Sequence, residues 1–325
     1  MVSKLQTPVT AAQFKNELHI DWCPGCGDFG ALQALQQALA ELQLPPWETM
    51  VFGGIGCSGK VFNFMGCHGV HTLHGRVLSY ATGAKLANPD LEVVAIGGDG
   101  DGYGIGAGHF VHAGRRNVNM TYIVLTNEVY GLTKGQAAPT LSRGQQTKSL
   151  PSPNLNDAIQ PIALALASGY TWIGRSYAFD GKHMKEMIKQ AIQHQGMALL
   201  DIFQPCPTYN DLHTAEWFNA KVKEGGETMP RIAKLEELGY DGVVKDPTNA
   251  EEVAQKRNKA YEVAYSSGAR IPVGLFYQIK LPTFSERLQA QVPVLAKTAA
   301  AKIQYEDATH LPTTDLTKVF DSLSV

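Results

Sequence analysis

The chain has 325 residues, with 28 Lys and Arg against 30 Asp and Glu, for a net charge of −2. That balance excludes a basic surface built for nucleic-acid phosphates and leaves no acidic tail. Charged residues make up 18% of the chain where ~25% is usual, and there are 32 glycines, so much of the surface is expected to be internal, in a large core, in a partner interface, or in both. The length suits ~1–2 domains. Five cysteines are too few for a disulfide scaffold in a chain this long. No positively charged start followed by an apolar run marks a signal peptide, and no stretch of ~18 uninterrupted apolar residues marks a membrane span. The expectation is a soluble cytoplasmic α/β protein whose cysteines are reduced or bind metal.

In chain order, the pattern alternates short β-type runs with helical stretches. Asp28 reads as the N-cap of a helix from Phe29 to Leu42, with Leu32, Leu35, Leu39 and Leu42 on one face and Pro45-Pro46 stopping it. Strands are predicted at Met50 to Gly53, Leu91 to Ile96 and Tyr122 to Leu125, and a helix from Ile105 to Arg116. Gln136 to Asn156, with Pro139, Pro151 and Pro153, reads as a long functional loop. Further strands are predicted at Thr171 to Ile173, Ala198 to Phe203 and Ile271 to Tyr277, and helices at Ala158 to Ala167, His183 to His194 and Asn249 to Ser266. Such alternation implies βαβ units and an open parallel sheet with helices on both faces. The character changes near residue 215, so the expected division is 1–215 for the α/β domain and 216–325 for an extension packed on the core or on a partner subunit.

Two strand ends carry the strongest chemistry: Gly97-Gly98-Asp99-Gly100-Asp101-Gly102, and then Asn127-Glu128-Val129-Tyr130-Gly131. Ligands of an open parallel sheet sit beyond the carboxyl ends of its strands. Glycines let the backbone approach a phosphate, and the next helix N-terminus favours anions. Carboxylates placed directly on such a loop would repel a pyrophosphate, and a divalent cation between them removes the conflict. Asp99 offers a carboxylate, Asn127 an amide oxygen and Val129 a backbone carbonyl, a donor set suited to Mg²⁺. An ordinary tight turn is the bland alternative.

The cysteines are Cys23 and Cys26 in a CxxC, Cys57 in a Gly-rich loop after a strand, Cys206 between two prolines, and Cys67 before His68. The CxxC follows no predicted strand, which counts against a thioredoxin-like motif. A zinc ribbon would show a second CxxC knuckle. One chelating pair with single cysteines elsewhere suits a thiolate-ligated iron–sulfur cluster, with zinc and inert or redox thiols as open alternatives.

Together the segments Trp22 to Phe29, Gly54 to Lys60, His71 to Arg76, Gly97 to Gly106, Thr126 to Gln136 and Pro205 to Asn210 resemble the β subunit of the thiamine-diphosphate-dependent 2-oxoacid:ferredoxin oxidoreductases. They run in the family's order across about the first two thirds of the chain. The resemblance implies that residues 1–215 form a thiamine-diphosphate-binding fold holding the diphosphate half of the cofactor. It implies Cys23, Cys26, Cys57 and Cys206 as ligands of one 4Fe–4S cluster, and Asp99, Asn127 and the Val129 carbonyl as Mg²⁺ ligands. Thiamine diphosphate would be lined by Ile55, Gly56, Cys57, Ser58, His74, Gly98, Gly100, Asp101, Gly131, Leu132 and Thr133. His74 and Arg76 are candidate catalytic residues, a proton donor and a carboxylate clamp. Lys60 and Lys134 are candidates for substrate carboxylate or coenzyme A phosphates, with loop-pinning and solvated surface charge as the plain alternatives.

The implied reaction is the reversible, coenzyme A-dependent oxidative decarboxylation of a 2-oxoacid to acyl-CoA and CO₂, with electrons passing through the cluster to ferredoxin. The implied partner is an α subunit supplying the pyrimidine-binding domain and the activating Glu, because this chain has room for one thiamine-binding domain. Leu132 to Gln136 and Tyr170 to Lys182 lean towards the 2-oxoglutarate branch over the pyruvate branch. A cluster-free thiamine-diphosphate decarboxylase or lyase, and a zinc-stabilised scaffold without enzymatic activity, are the rival readings.

Overall fold

A computed structural model describes residues 7–266, 268–313, 315 and 317–323. Its strands are β1 (Thr49–Gly53), β2 (His68–His71), β3 (Glu92–Gly98), β4 (Met120–Thr126), the short pair β5 (Val129–Tyr130) and β6 (Gln136–Ala137), β7 (Trp172–Tyr177), β8 (Met197–Phe203), the hairpin β9 (Lys221–Glu224) and β10 (Glu227–Pro230), β11 (Ile232–Lys234) and β12 (Ile271–Gln278). The helices are α1 (Asp28–Glu41), α2 (Val77–Ala87), α3 (Ala107–Arg116), α4 (Pro161–Ser168), α5 (Gly181–Gln193), α6 (Ala215–Asn219), α7 (Ala250–Ala264), α8 (Phe284–Gln291) and α9 (Thr317–Leu323). Eight strands form one sheet in the order β11-β12-β7-β8-β4-β3-β1-β2. All its neighbours are parallel except β12, which runs antiparallel to β7.

The central strands are apolar throughout because both faces are covered. Val94, Ile96, Ile123 and Leu200 point to one face, under Leu32, Leu35 and Leu39 of α1 and Met184 and Ile188 of α5. The alternate residues Val93, Ala95, Tyr122, Val124 and Leu199 point to the other, under Leu78 of α2, Phe110 of α3, Ile162 and Leu166 of α4 and Ala260 of α7. The open α/β architecture expected from the alternation is therefore present, with two strands at one edge, β11 and β12, running opposite to the other six, a reversal that the pattern did not announce. Through β11 and β12, part of the segment beyond residue 215 shares the main sheet's ladder.

Several boundaries differ for identifiable reasons. Asp28 is the first residue of α1, and Gly27 takes the N-cap position. The Asp28 carboxylate caps nothing: it is fully buried, and neither oxygen has a hydrogen-bond partner. Helix α3 starts at Ala107, two residues later than predicted, because Gly104 has a non-helical backbone (φ −88°, ψ −107°). The β2 edge strand and α2 escaped the sequence reading. The first is four residues long and mostly exposed, and the second buries only Val77, Leu78, Ala81 and Lys85, too sparse a stripe to announce a helix. Hairpin β9–β10 was also missed, although its turn residues Gly225 and Gly226 have φ of +60° and +88°, the conformation a tight two-residue hairpin demands.

A buried polar group braces the sheet behind the motif loops. Arg175 Nε on β7 donates to Asp201 Oδ2 on β8 at 2.8 Å, and both side chains are at most 5% exposed. Asp201 Oδ1 also accepts from Thr126 Oγ1 at 2.5 Å and from Tyr103 O–H at 3.2 Å, so it ties the end of β4 to the turn after β3. Replacing Arg175 by Met would leave that carboxylate buried without its cation. A loss of about 3–5 kcal/mol in unfolding free energy is expected from urea titration, and a change under 1 kcal/mol would deny the pair this bracing role.

Candidate functional site

The motif loops leave the carboxyl ends of β1, β3, β4 and β8, four neighbours in the sheet. Two adjoining cavities lie there. The first is lined by Ile55, Gly56, Cys57, Ser58, His74, Gly98, Asp99, Gly100, Asp101, Asn127, Val129, Tyr130, Gly131, Leu132 and Thr133. The second is lined by all four cysteines Cys23, Cys26, Cys57 and Cys206, together with Asp28, Lys60 and Gln204 among others. Cys57, Asn127, Gly131 and Leu132 face both, so they form a common wall.

Asp99 organises the first cavity. Only 1% exposed, its Oδ1 accepts from Gly100 N–H at 3.0 Å, and its Oδ2 accepts from Glu128 N–H at 2.8 Å and from the Thr140 hydroxyl. Glu128 holds φ at +66°, uncommon for a non-glycine residue, and this turns its N–H onto the carboxylate. Asn210 supports that turn by donating from Nδ2 to Asn127 O at 3.0 Å and Glu128 Oε2 at 3.2 Å, while His213 Nδ1 also bonds Glu128 Oε2. Burial outweighs these donors and raises the Asp99 carboxyl to about 7. Gly100 is needed beside it, since a Cβ there would lie 2.2 Å from the Tyr130 ring.

Asp101, also 1% exposed, stitches two other loops together. Its Oδ1 accepts from Gly75 N–H at 2.8 Å and Ile55 N–H at 3.2 Å, and bonds His74 Nδ1 at 2.8 Å. Its Oδ2 is buried with no partner. The Asp101 contact occupies His74 Nδ1, so Nε2 is the ring nitrogen left for chemistry in the cavity.

In the second cavity, Cys57 and Cys206 place their sulfurs each 3.8 Å from where a Cβ on Gly131 would stand. Cys23 is close enough to influence the thiols of both Cys57 and Cys206, and Cys206 that of Cys26. Burial, followed by the Asp28 charge, pushes the Cys57 thiol up to about 11 and the Cys26 thiol further. Asp28 itself is raised to about 7 by burial. Four thiols lining one cavity are a donor set that would fit a thiolate-ligated metal centre.

Of the catalytic candidates, only His74 lines the first cavity. Lys60 lies on the cysteine cavity and pairs with Asp21 at 2.7 Å. Arg76 precedes α2 and donates to the Gly75 and Ile105 carbonyls at 3.2 and 3.5 Å, outside the wall. Lys134 is an exposed turn residue with φ of +84°. Every residue named from sequence for cofactor or Mg²⁺ contact lies on the first cavity. Tyr130, Thr140, Gln204, Asn210 and the unpartnered Asp28 were not singled out. Thr140 falls in the long loop marked as functional, and Asn210 closes the Pro205 to Asn210 motif, so both had a signal; Gln204 had none beyond its place before Pro205-Cys206.

Residues 54–202 match the family described as thiamine pyrophosphate enzyme, C-terminal TPP binding domain, and residues 206–291 match the C-terminal family of the pyruvate ferredoxin oxidoreductase beta subunit. The chain is 54% identical over 286 residues to a 2-oxoacid:ferredoxin oxidoreductase subunit beta of Sulfolobus sp, covering 87% of this chain and 90% of the relative. The chain belongs to the β subunits of the 2-oxoacid:ferredoxin oxidoreductases. A 2-oxoglutarate oxidoreductase subunit KorB of Mycobacterium tuberculosis is 36% identical, covering 90% of this chain and 84% of the relative. A solved 2-oxoglutarate:ferredoxin oxidoreductase from Magnetococcus marinus, with 2-oxoglutarate, coenzyme A and succinyl-CoA bound, superposes with a TM-score of 0.81 at 32% identity, covering 99% of this chain and 98% of that one. Family membership makes this chain an oxidoreductase subunit with a thiamine-diphosphate-binding domain, and β-subunit status implies an α subunit.

The raised Asp99 carboxyl has a consequence for the ligand-free chain. A carboxyl that binds its proton more tightly folded than unfolded contributes stability fully below its ordinary value of 3.8 and loses it as pH rises through about 7. Asp99→Asn is therefore expected to lose less stability than the parent between pH 6 and pH 8 in paired urea melts. Equal slopes would show that Asp99 is already ionised when folded.

Proposed function

We propose that this β subunit works with its α partner in the coenzyme A-dependent oxidative decarboxylation of a 2-oxoacid, with 2-oxoglutarate as the leading substrate, and passes the electrons to ferredoxin. The observation that carries this reading is the shared wall: the cavity around Asp99, Asn127 and the glycine loops and the four-cysteine cavity meet at Cys57, Asn127, Gly131 and Leu132. Adjacency of that kind serves short-range electron transfer and has no purpose in a cluster-free lyase.

In this reading Asp99, Asn127 Oδ1 and the Val129 carbonyl hold Mg²⁺, and the glycines at 98, 100 and 131 let the diphosphate approach. Cys23, Cys26, Cys57 and Cys206 hold a 4Fe–4S cluster. Thiamine diphosphate, when bound, supplies the electron sink that makes decarboxylation possible. Asp101 holds His74 so that Nε2 can give or take a proton at the substrate's oxo oxygen. Arg76 serves as the clamp for the substrate carboxylate, and Lys134, or Lys60 on leaving Asp21, meets the substrate carboxylate or coenzyme A phosphates. The α subunit supplies the pyrimidine-binding domain and the activating Glu, and the reaction runs backwards with a strongly reducing ferredoxin. Residues 216–325 serve as the extension that widens the sheet, and the enzyme works in the cytoplasm. Among the described residues no helix is long and apolar enough to cross a membrane.

The substrate preference leans on the solved neighbour and the M. tuberculosis relative, both named for 2-oxoglutarate. The match to a pyruvate ferredoxin oxidoreductase C-terminal family favours pyruvate as the second reading. Assaying the co-expressed α–β pair with both acids in parallel decides between them; higher kcat/KM with 2-oxoglutarate is expected, and the reverse selects pyruvate.

Asp99→Ala is expected to weaken Mg²⁺-dependent thiamine-diphosphate binding by more than ~10-fold, the lower end of what even an outer-shell change costs a metal site. Its iron content should stay at the parent level. Unchanged cofactor affinity by calorimetry would remove Asp99 from the metal site. An anaerobically purified chain should show a broad brown absorbance bleached by dithionite, and stoichiometric zinc in its place would end the electron-transfer reading.

A further inference from the structure

Gln204 sits between β8 and Cys206 and is 1% exposed. Its backbone N–H donates to Thr126 O at 2.8 Å, pinning it beside the end of β4. Its stem is wedged against the cysteine loop: a Cβ on Gly27 would lie 2.9 Å from Gln204 Cγ and 2.8 Å from Ala178 Cβ, so only glycine lets that loop close.

The side-chain amide uses each hydrogen and its oxygen. Nε2 donates to Pro205 O at 3.1 Å and to Cys26 Sγ at 3.0 Å, and Oε1 accepts from Asn127 Nδ2 at 3.0 Å. The Pro205 carbonyl decides the orientation, because a carbonyl only accepts and a flipped amide would set two oxygens against each other. With Gln204 Oε1 thereby facing Asn127, Asn127 must present Nδ2 to it. Asn127 Oδ1 is then turned to the opposite side, where it accepts from Val129 N–H at 3.0 Å. One amide thus orients Asn127 on the first cavity and donates to a cysteine on the second.

We infer that Gln204 is a positioning residue coupling the two centres: its N–H raises the cluster's reduction potential through the Cys26 sulfur, and its carbonyl holds Asn127 in the orientation that binds Mg²⁺. The inference rests on the cluster and Mg²⁺ assignments above. Hydrogen bonds to cluster sulfurs set the potential because they favour the more negative, reduced state. Gln204 itself is buried and Cys26 half-buried, so the donor is largely shielded from water. Orientation of a metal ligand by an outer partner is worth about 10–100-fold in metal affinity.

The test uses the α–β complex purified anaerobically, with Gln204→Met (similar length, no donor or acceptor) and Gln204→Glu (same shape, amide donor replaced by oxygen). Iron per chain, the midpoint potential from an EPR-monitored titration, and the Mg²⁺ concentration that half-saturates thiamine-diphosphate binding are measured for each. Both variants are expected to shift the midpoint to more negative potential, and Gln204→Met to raise the half-saturating Mg²⁺ about 10–100-fold, whereas Gln204→Glu, which keeps an oxygen to accept from Asn127 Nδ2, is expected to leave the Mg²⁺ dependence near the parental value. An iron-replete Gln204→Met complex with parental potential and parental Mg²⁺ dependence overturns the inference while leaving the function intact. A parent complex without iron overturns the functional reading itself. Independently of any variant, the reduced parent labelled with ¹⁵N at glutamine side chains should show a nitrogen hyperfine coupling to the cluster, and its absence also rules out the Gln204 bond.

Discussion

The site depends on a carboxylate held where a carboxylate is least stable. Asp99 lies almost wholly out of water, and three donors from different segments converge on it: Gly100 N–H after β3, Glu128 N–H after β4 and Thr140 from the long loop. These bonds close the loops over one another, yet they do not offset the desolvation, which raises the carboxyl to about 7. Among the described residues no Lys or Arg pairs with it. A buried acid so organised is a donor that would fit a divalent cation, as the proposed function requires.

Everything else at this rim holds that acid and its neighbours in place. Asp101 draws in the β1 and His74 loops. Asp201, neutralised by Arg175, secures Thr126 directly before Asn127 and Tyr103 directly after the Asp101 turn. Asn210 stabilises the unusual backbone at Glu128 from the cysteine-bearing loop. The two cavities therefore share more than a wall. The loop that carries Cys206 also carries Gln204 and Asn210, which hold the loop after β4.

Much of this was legible residue by residue. Gly-Asp-Gly after one strand and Asn two residues before a usable carbonyl after another carry their chemistry in local spacing, and the cysteines stand in Gly- and Pro-rich loops that hold them still. The helices α1, α5 and α7 follow from periodicity. Legibility failed where tertiary surroundings reversed a local preference. Asp28 has the composition of a cap, but the adjacent cysteine cavity buries it inside the first turn of α1. Lys60 also pairs with Asp21, 39 residues away, a contact that no local pattern announced. The β2 strand is too short and too exposed to show a pattern.

By itself the sequence determined which residues end each strand, since hydrophobic runs, glycines and prolines act over a few neighbours. Only the tertiary structure decided which strand ends meet. Setting β4 between β3 and β8 brings Asn127 to Gln204 and Asp99 to Thr140, at separations of 77 and 41 residues. No local propensity encodes such pairings, because they arise from burying both faces of one sheet, and that is a property of the whole chain.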